Sequence, residues 1–299
     1  MARSLQGGRL HYYWLSILLG IIEGLTEFLP VSSTAHLRIS EHLLNISLTD
    51  GYWKMYSVVI QLGAILCLPY YFRSRISRFI ATFPRGERND RTALTHPLTL
   101  VLIAFVVTAV PSLLLNKTIG KHLESLYVMG TSLIVGGIIM WIVDRFFGPT
   151  PPGGRHQTET MEEVSTLQAI WIGFCQIFSA VFPGTSRSMS TITSGQLAGM
   201  SRPAALEFSF FLSMPTMAAA TLYDLYKTLH AHAGETALGR MPANNQEWIV
   251  LIIGFVVSFF VALAVVAWFM NWVRKRGFAP FAIYRIALGA AVLLWLAKT

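Results

Sequence analysis

Residues 23–36 read EGLTEFLPVSSTAH, and they break an apolar segment that starts near residue 12 and ends near residue 45. A helix needs about 20 mostly apolar residues to cross a membrane, and neither half of this segment supplies them. Irregular backbone at membrane depth is tolerated only where protein surrounds it. We therefore expect a re-entrant helix–loop–helix hairpin over residues 10–45, which enters and leaves on the same side of a membrane.

A second interrupted segment occupies residues 165–200, where residues 183–188 read PGTSRS. A constant shift along the chain pairs like residues of the two segments: Gly20 with Gly173, Pro30 with Pro183, and Ser33 with Ser186. Internal repeats of opposite topology are common among membrane proteins with broken helices. The pattern predicts a single membrane domain over 1–299, built from inverted repeats over 10–146 and 165–299.

The composition of the whole chain fits this interpretation. Of its 299 residues, 54% are hydrophobic and 13% are charged, against about 25% charged in soluble domains. A mean hydropathy of +0.53 excludes a soluble enzyme, a disordered chain and a secreted disulfide scaffold, and the two cysteines build no zinc cluster. The sequence predicts an all-α polytopic membrane protein with two re-entrant hairpins. Its six transmembrane helices are expected near 54–72, 97–115, 125–146, 203–226, 248–272 and 280–297.

Basic residues in the gaps between apolar segments predict the orientation. Gap 73–96 is rich in arginine and gap 273–279 holds three basic residues. Both should be cytoplasmic, because cytoplasmic loops carry an excess of Lys and Arg. Threading six spans through these gaps puts 116–124 and 227–247 outside and 147–164 inside. The net charge of +8 is explained in the same way, without a nucleic-acid partner.

Glu23 and Glu27 are four residues apart, so on a helix their carboxylates project from one face. An ionisable group at mid-membrane costs about 2.5–3.5 kcal/mol on insertion scales, and two neighbouring carboxylates raise each other's pKa. The pattern favours a functional pair that holds a divalent cation or manages a proton. The alternative is structural: one acid is protonated, or both lie near the outer headgroups.

Hydroxyl side chains follow this pair directly. Ser32, Ser33 and Thr34 are good N-cap types, and one of them should cap the helix that follows the proline-bearing turn. His36 lies about one helical turn beyond Ser33, which is close enough to serve a hydroxyl or a leaving group as acid or base. A purely structural histidine is the alternative.

The PGTSRS loop combines a glycine, hydroxyls and an arginine at the start of a half-helix. Free N–H groups at a helix start favour an anion, and the guanidinium of Arg187 supplies paired donors for phosphate oxygens. Alternatively, Arg187 forms a salt bridge with Glu23 or Glu27. Further polar residues, Gln61 and Glu207, support the site or join helices, whereas Asp224 and Arg285 lie near span ends, where snorkelling to the headgroups is expected.

Both motifs, EGLTEFLPVSSTAH and PGTSRS, closely resemble those of the bacterial undecaprenyl-diphosphatase family, also called bacitracin-resistance protein. The likeness extends through VVIQLG at 58–63 and EFSF at 207–210, so it covers essentially the full length. It implies an enzyme of the bacterial inner (cytoplasmic) membrane that hydrolyses the C55 lipid diphosphate to its monophosphate, with a divalent cation, Mg²⁺ or Ca²⁺, as cofactor. Ala35 and Met189 depart from the family pattern, since both stand where glycine is usual.

The resemblance also implies roles for the motif residues. Glu23 and Glu27 would hold the cation or polarise the attacking group, Ser33 would be the nucleophile, and His36 would be its acid/base partner. Direct attack by water activated at Glu27 or His36 is the alternative, and Ser186 is a weaker candidate nucleophile. Arg187 is expected both to take part in catalysis and to bind the diphosphate. The full set expected to bind the substrate is Ser32, Thr34, Gln61, Gly184, Ser186, Arg187 and Ser188.

The expected partners are the C55 lipid diphosphate and membrane lipids, with an active site that opens to the periplasm; a homodimer is left open. The main rival function is a flippase of undecaprenyl phosphate, which would use the same anion cradle without chemistry. A lipid phosphatase of a different membrane superfamily is a weaker rival. That superfamily has a Pro-Ser-Gly-His motif and a second histidine that follows a Ser-Arg pair, and no histidine follows Arg187 at the corresponding distance.

Overall fold

The computed structural model describes residues 2–46, 51–87, 89–115, 125–148, 156–229 and 239–298. These ranges contain eleven α-helices and one 3₁₀ turn over Met161–Glu163, and they contain no strand, only an isolated bridge between Thr158 and Met200. The all-α prediction is confirmed. The helices are α1 (Ala2–Thr26), α2 (Ser33–Leu43), α3 (Gly51–Tyr71), α4 (Arg73–Thr82), α5 (Pro97–Leu114), α6 (Leu126–Phe147), α7 (Thr166–Val181), α8 (Arg187–Leu197), α9 (Arg202–Leu229), α10 (Asn245–Lys275) and α11 (Ala279–Leu296).

Six helices of the described chain are long and apolar enough to cross a membrane: α3, α5, α6, α9, α10 and α11. They coincide with the six predicted spans to within a few residues. Their outer faces are apolar, as α5 illustrates, where Leu102, Val106 and Val110 are exposed at four-residue spacing. An exposed apolar stripe of this kind is stable against lipid and not against water. The chain is therefore a multi-pass membrane protein.

Both interrupted segments form helix–turn–helix units. α1 ends at Thr26 and α2 begins at Ser33, while α7 ends at Val181 and α8 begins at Arg187. Ser32 and Ser186 are the caps of α2 and α8, and both have left-handed backbones, with φ of 73° and 71°. Each hydroxyl accepts a hydrogen bond from the N–H three residues on. As a cap, the counterpart of Ser186 is therefore Ser32, one residue before the Ser33 that sequence alignment pairs with it.

Glycines allow the first helix of each unit to pack closely on a spanning helix. A Cβ at Gly20 of α1 would lie 2.8 Å from the Gly254 carbonyl oxygen of α10, and a Cβ at Gly173 of α7 would lie 2.5 Å from the Ala104 carbonyl oxygen of α5. The second helices, α2 and α8, both pack against α6. The two units thus pack tightly against the spanning helices, and most residues of their turns are buried.

Polar contacts show which loops share one end of the bundle. Arg75 of α4 donates to Glu207 at 2.9 Å, and the Asp144 carboxylate at the end of α6 accepts from Arg202 at 2.7 Å and from the Phe278 N–H at 2.8 Å. The arginine-rich gaps therefore meet at one end, as their common charge predicts. The gap 116–124 and residues 230–238 lie outside the described residues. At the other end, Tyr52 donates to the Glu247 carbonyl at 2.8 Å.

Candidate active site

A cavity of about 540 Å³ lies between the two turns and the helices α5, α7 and α9. Both sequence motifs contribute to its wall, although they are separated by some 150 residues in the sequence. Among the predicted site residues, Glu23, His36 and Ser188 do not line it. The predicted residues that do are Glu27, Ser32, Ser33, Thr34, Gln61, Gly184, Ser186 and Arg187.

Glu27 is the centre of the polar part of this wall, and its carboxylate is buried. One oxygen, Oε1, accepts from Arg187 Nη2 at 3.1 Å. The other, Oε2, accepts from the Ser33 hydroxyl at 2.5 Å and from Gln61 Nε2 at 3.4 Å. The salt bridge between the two motifs, considered above as the alternative partner of Arg187, is therefore present. A hydroxyl so close to a carboxylate has a base in place to take its proton.

Arg187 has further donors beside this ion pair. Its Nη1 is buried and has no hydrogen-bond partner among the described residues, so the ion pair with Glu27 leaves one nitrogen of the guanidinium unused. Residues at the starts of α2 and α8 line the same cavity, and the first N–H groups of a helix have no partner within it. Donors of these kinds suit an anion with several oxygens.

The second turn is linked to the first by hydroxyl and backbone groups as well. Ser188 donates to the Leu29 carbonyl at 3.0 Å, and its hydroxyl lies 3.1 Å from that of Ser186. Gly184 has φ of 92°, and a Cβ there would lie 2.6 Å from the Met129 carbonyl oxygen of α6. Only glycine combines this backbone conformation with this close approach.

Glu23 lies one turn before Glu27 and is fully buried, and neither carboxylate oxygen has a hydrogen-bond partner in the described part of the chain. Such a group calls for a proton or a cation. The described residues contain no cluster of three or more His, Cys, Asp or Glu suited to a metal. The donor set is therefore two carboxylates with nearby hydroxyl and amide oxygens, which suits a hard cation that completes its shell with phosphate oxygens and water.

His36 has other partners than the sequence suggests. Its Nδ1 lies 2.8 Å from the Ser32 carbonyl oxygen, and its Nε2 lies 2.6 Å from the Tyr284 hydroxyl, with the two rings stacked 5.6 Å apart. Ser33 is thus hydrogen-bonded to Glu27 and not to His36. The acid/base role of His36 stays a prediction.

Arg285 is the residue of the site that sequence reasoning missed. The expectation that it snorkels to a headgroup is wrong, because its side chain is 0% exposed. It donates to the carbonyl oxygens of Pro30 at 3.1 Å, Gly184 at 3.1 Å and Ser132 at 3.2 Å. The available signal was its position: it lies about two turns inside α11, too deep for a residue that anchors a helix end. Asp224, assigned to the headgroups in the same way, lines the cavity.

The family model of the bacitracin resistance protein BacA matches residues 16–291. A protein of Koribacter versatilis (strain Ellin345) named undecaprenyl-diphosphatase is 63% identical over 287 residues, which cover 96% of this chain and 99% of that protein. Proteins of the same name from Sorangium cellulosum (strain So ce56) and Caldanaerobacter subterraneus subsp. tengcongensis are 44% and 39% identical. Those matches each cover 95% of this chain, and 86% and 96% of the respective relatives.

Proposed function

The chain belongs to the bacitracin resistance protein BacA family, and we propose that it hydrolyses undecaprenyl diphosphate to undecaprenyl phosphate and inorganic phosphate. The reaction recycles the lipid carrier of peptidoglycan synthesis and confers resistance by removing the diphosphate that bacitracin binds. One observation carries the proposal: both motifs meet at Glu27 on the wall of a cavity that lies within a membrane bundle. The cavity thus combines anion donors with a carboxylate base, which is what a diphosphatase requires.

Ser33 is the candidate nucleophile, and Glu27 the base. The Ser33 hydroxyl would attack the terminal phosphorus while its proton passes to Glu27 Oε2, 2.5 Å away. The bond from that phosphorus to the bridging oxygen breaks, undecaprenyl phosphate leaves, and water then releases phosphate from the serine. Water activated at Glu27 could attack directly and give the same products. His36 would serve as acid only after its ring leaves Tyr284.

Arg187 and the two helix starts would bind the diphosphate. Charge builds up on the phosphoryl oxygens as the transition state forms, and preorganised donors stabilise that state more than the ground state. Arg187, which lines the cavity and whose Nη1 has no partner among the described residues, is the residue we assign to this task. Ser32, Thr34, Gln61, Gly184, Ser186 and Ser188 would complete the binding site.

A divalent cation, Mg²⁺ or Ca²⁺, would be held by Glu23 and Glu27. The buried oxygens of Glu23, which have no hydrogen-bond partner in the described part of the chain, support this assignment. The affinity of such cations for carboxylates and substrate phosphates supports it too. When bound, the cation would neutralise phosphate charge. Glu23 does not line the cavity, so it would hold the cation from a position one helical turn before Glu27.

For the architecture we propose two re-entrant hairpins within inverted repeats over 10–146 and 165–299. The matching caps at Ser32 and Ser186 and the reciprocal glycine contacts of α1 and α7 support this. The cavity would open to the periplasm, since Leu113 and Tyr223, near the ends of α5 and α9, line it away from the arginine-rich gaps. The exposed apolar faces suit membrane lipids, and a homodimer also stays a prediction.

The test is phosphate release from C55 diphosphate by the purified protein in detergent, with and without chelator. The Glu27→Gln variant, purified identically, controls for contaminating phosphatases. We expect release by the parent alone, lost on chelation and restored by Mg²⁺ or Ca²⁺. A flippase would move undecaprenyl phosphate between the leaflets of vesicles without releasing phosphate. No release under any metal condition would exclude the enzyme.

A further inference from the structure

Arg285 is a buried arginine that bonds both turns but does not line the cavity. Its hydrogen-bond acceptors are three backbone carbonyls, and no carboxylate is among its partners in the described chain. Its Nε has no partner there. Burying a charge that is not paired with an opposite charge is costly. The burial of this charge therefore needs an explanation other than the stability of α11.

The acceptors come from three separate parts of the fold. Pro30 belongs to the first turn, Gly184 to the second, and Ser132 to α6, while Arg285 itself is on α11. The guanidinium is a planar fork whose N–H groups have fixed directions. One rigid group therefore bonds both turns at once and sets the distance between them.

The neighbouring helix leaves space for this group. A Cβ at Gly136 of α6 would clash with Arg285 Nη2 and would lie 2.7 Å from the methyl carbon of Met189. Any larger residue at position 136 would push the guanidinium away from the turn carbonyls. The glycine is a second observation, independent of the hydrogen bonds, that this arginine has a defined place.

We infer that Arg285 is a positioning residue for the diphosphatase reaction, an inference that rests on the proposed function. Pro30 lies in the turn that presents Ser33 and precedes that serine by three residues, and Gly184 precedes Arg187 by three residues. Because both carbonyls are held, the positions of the nucleophile Ser33 and of the phosphate-binding Arg187 are fixed relative to each other. A misplacement of about 1 Å at a reacting centre can cost about 10²-fold in rate.

Three variants test the inference by kcat and KM, measured on monodisperse folded protein whose thermal midpoint is recorded. Arg285→Met should lower kcat about 10²-fold with little change in KM, and Arg285→Lys should recover only part of it, because an ammonium cannot span two turns. Arg202→Met is the matched control, since Arg202 is also largely buried and bonds Asp144, and neither residue lines the cavity. It should lower the thermal midpoint and leave kcat of the folded fraction unchanged.

Gly136→Ala provides a test in which the arginine is retained. It should lower kcat, and the double variant Gly136→Ala/Arg285→Met should be no slower than Arg285→Met alone, because both act through one contact. If Arg285→Met yields no folded protein, Gly136→Ala decides the matter. Parent-like kcat in the folded variants, or a loss no larger than that of Arg202→Met, would overturn the inference. An inactive parent would instead overturn the proposed function.

Discussion

Replacing Arg187 by alanine is the sharpest test of the site, because this side chain joins the two motifs. It removes the 3.1 Å ion pair with Glu27 and the buried Nη1 donor, which has no partner among the described residues. The loss of one preorganised donor costs about 2.7–4 kcal/mol of transition-state stabilisation, which is about 10²–10³ in kcat. Arg187→Ala should therefore slow turnover by at least about 10²-fold.

The same variant should be less stable. Side-chain exposures of 13% for Arg187 and 4% for Glu27 make this a buried pair, and breaking such a pair costs about 3–5 kcal/mol. Glu27 keeps Ser33 and Gln61 as donors, so the lower end of that range is expected. Arg187→Lys should recover part of both losses, because a lysine keeps the charge but not the planar fork.

Steady-state phosphate release and thermal unfolding in detergent measure these effects. Arg202→Lys is the matched control: the guanidinium of Arg202 also bonds a buried carboxylate, Asp144, at 2.7 Å, but neither residue lines the cavity. It should leave kcat unchanged. A parent-like Arg187→Lys would show that Arg187 acts only as a point charge, and a parent-like Arg187→Ala would mean that the active site lies elsewhere.

Three further predictions follow from the same contacts. Glu27→Gln should abolish turnover and Glu23→Gln should impair it with an altered metal dependence; normal kinetics at ordinary Mg²⁺ in both would remove the pair from the mechanism. Cysteine at exposed Lys275 should resist an impermeant reagent added to intact cells, whereas cysteine at exposed Asn245 should react; the opposite result would invert the topology. Gly173→Ala should lower stability by about 1–3 kcal/mol, because its Cβ would meet the Ala104 backbone; an unchanged unfolding midpoint would contradict the close packing of α5 and α7.

Hydropathy and capping chemistry predicted most of the helices from the sequence. The six spans are continuous apolar runs, and both turns contain proline followed by a serine that caps the next helix. These signals depend on residues that are close together in the sequence, so they can be recognised without knowledge of the fold. It was also predictable that the gaps 73–96 and 273–279 lie at the same end of the bundle, because basic residues concentrate in cytoplasmic loops.

The partners within the site were predictable only in part. The two motifs supplied the right residue types, and a salt bridge from Arg187 to Glu23 or Glu27 was foreseen as an alternative. The sequence favoured His36 as the partner of Ser33, because the two are one helical turn apart. In the structure the Ser33 hydroxyl bonds Glu27, and His36 bonds Tyr284, 248 residues away.

The sequence by itself determined the membrane class, the spans and the two motifs, because local composition controls helix formation in lipid. The tertiary structure alone decided which carboxylate holds Arg187 and where Arg285 lies. An arginine in an apolar helix can reach the headgroups or be buried against carbonyls, and its local sequence is the same in both cases. The choice depends on Pro30, Ser132 and Gly184, which are brought together from distant parts of the chain only when the bundle packs.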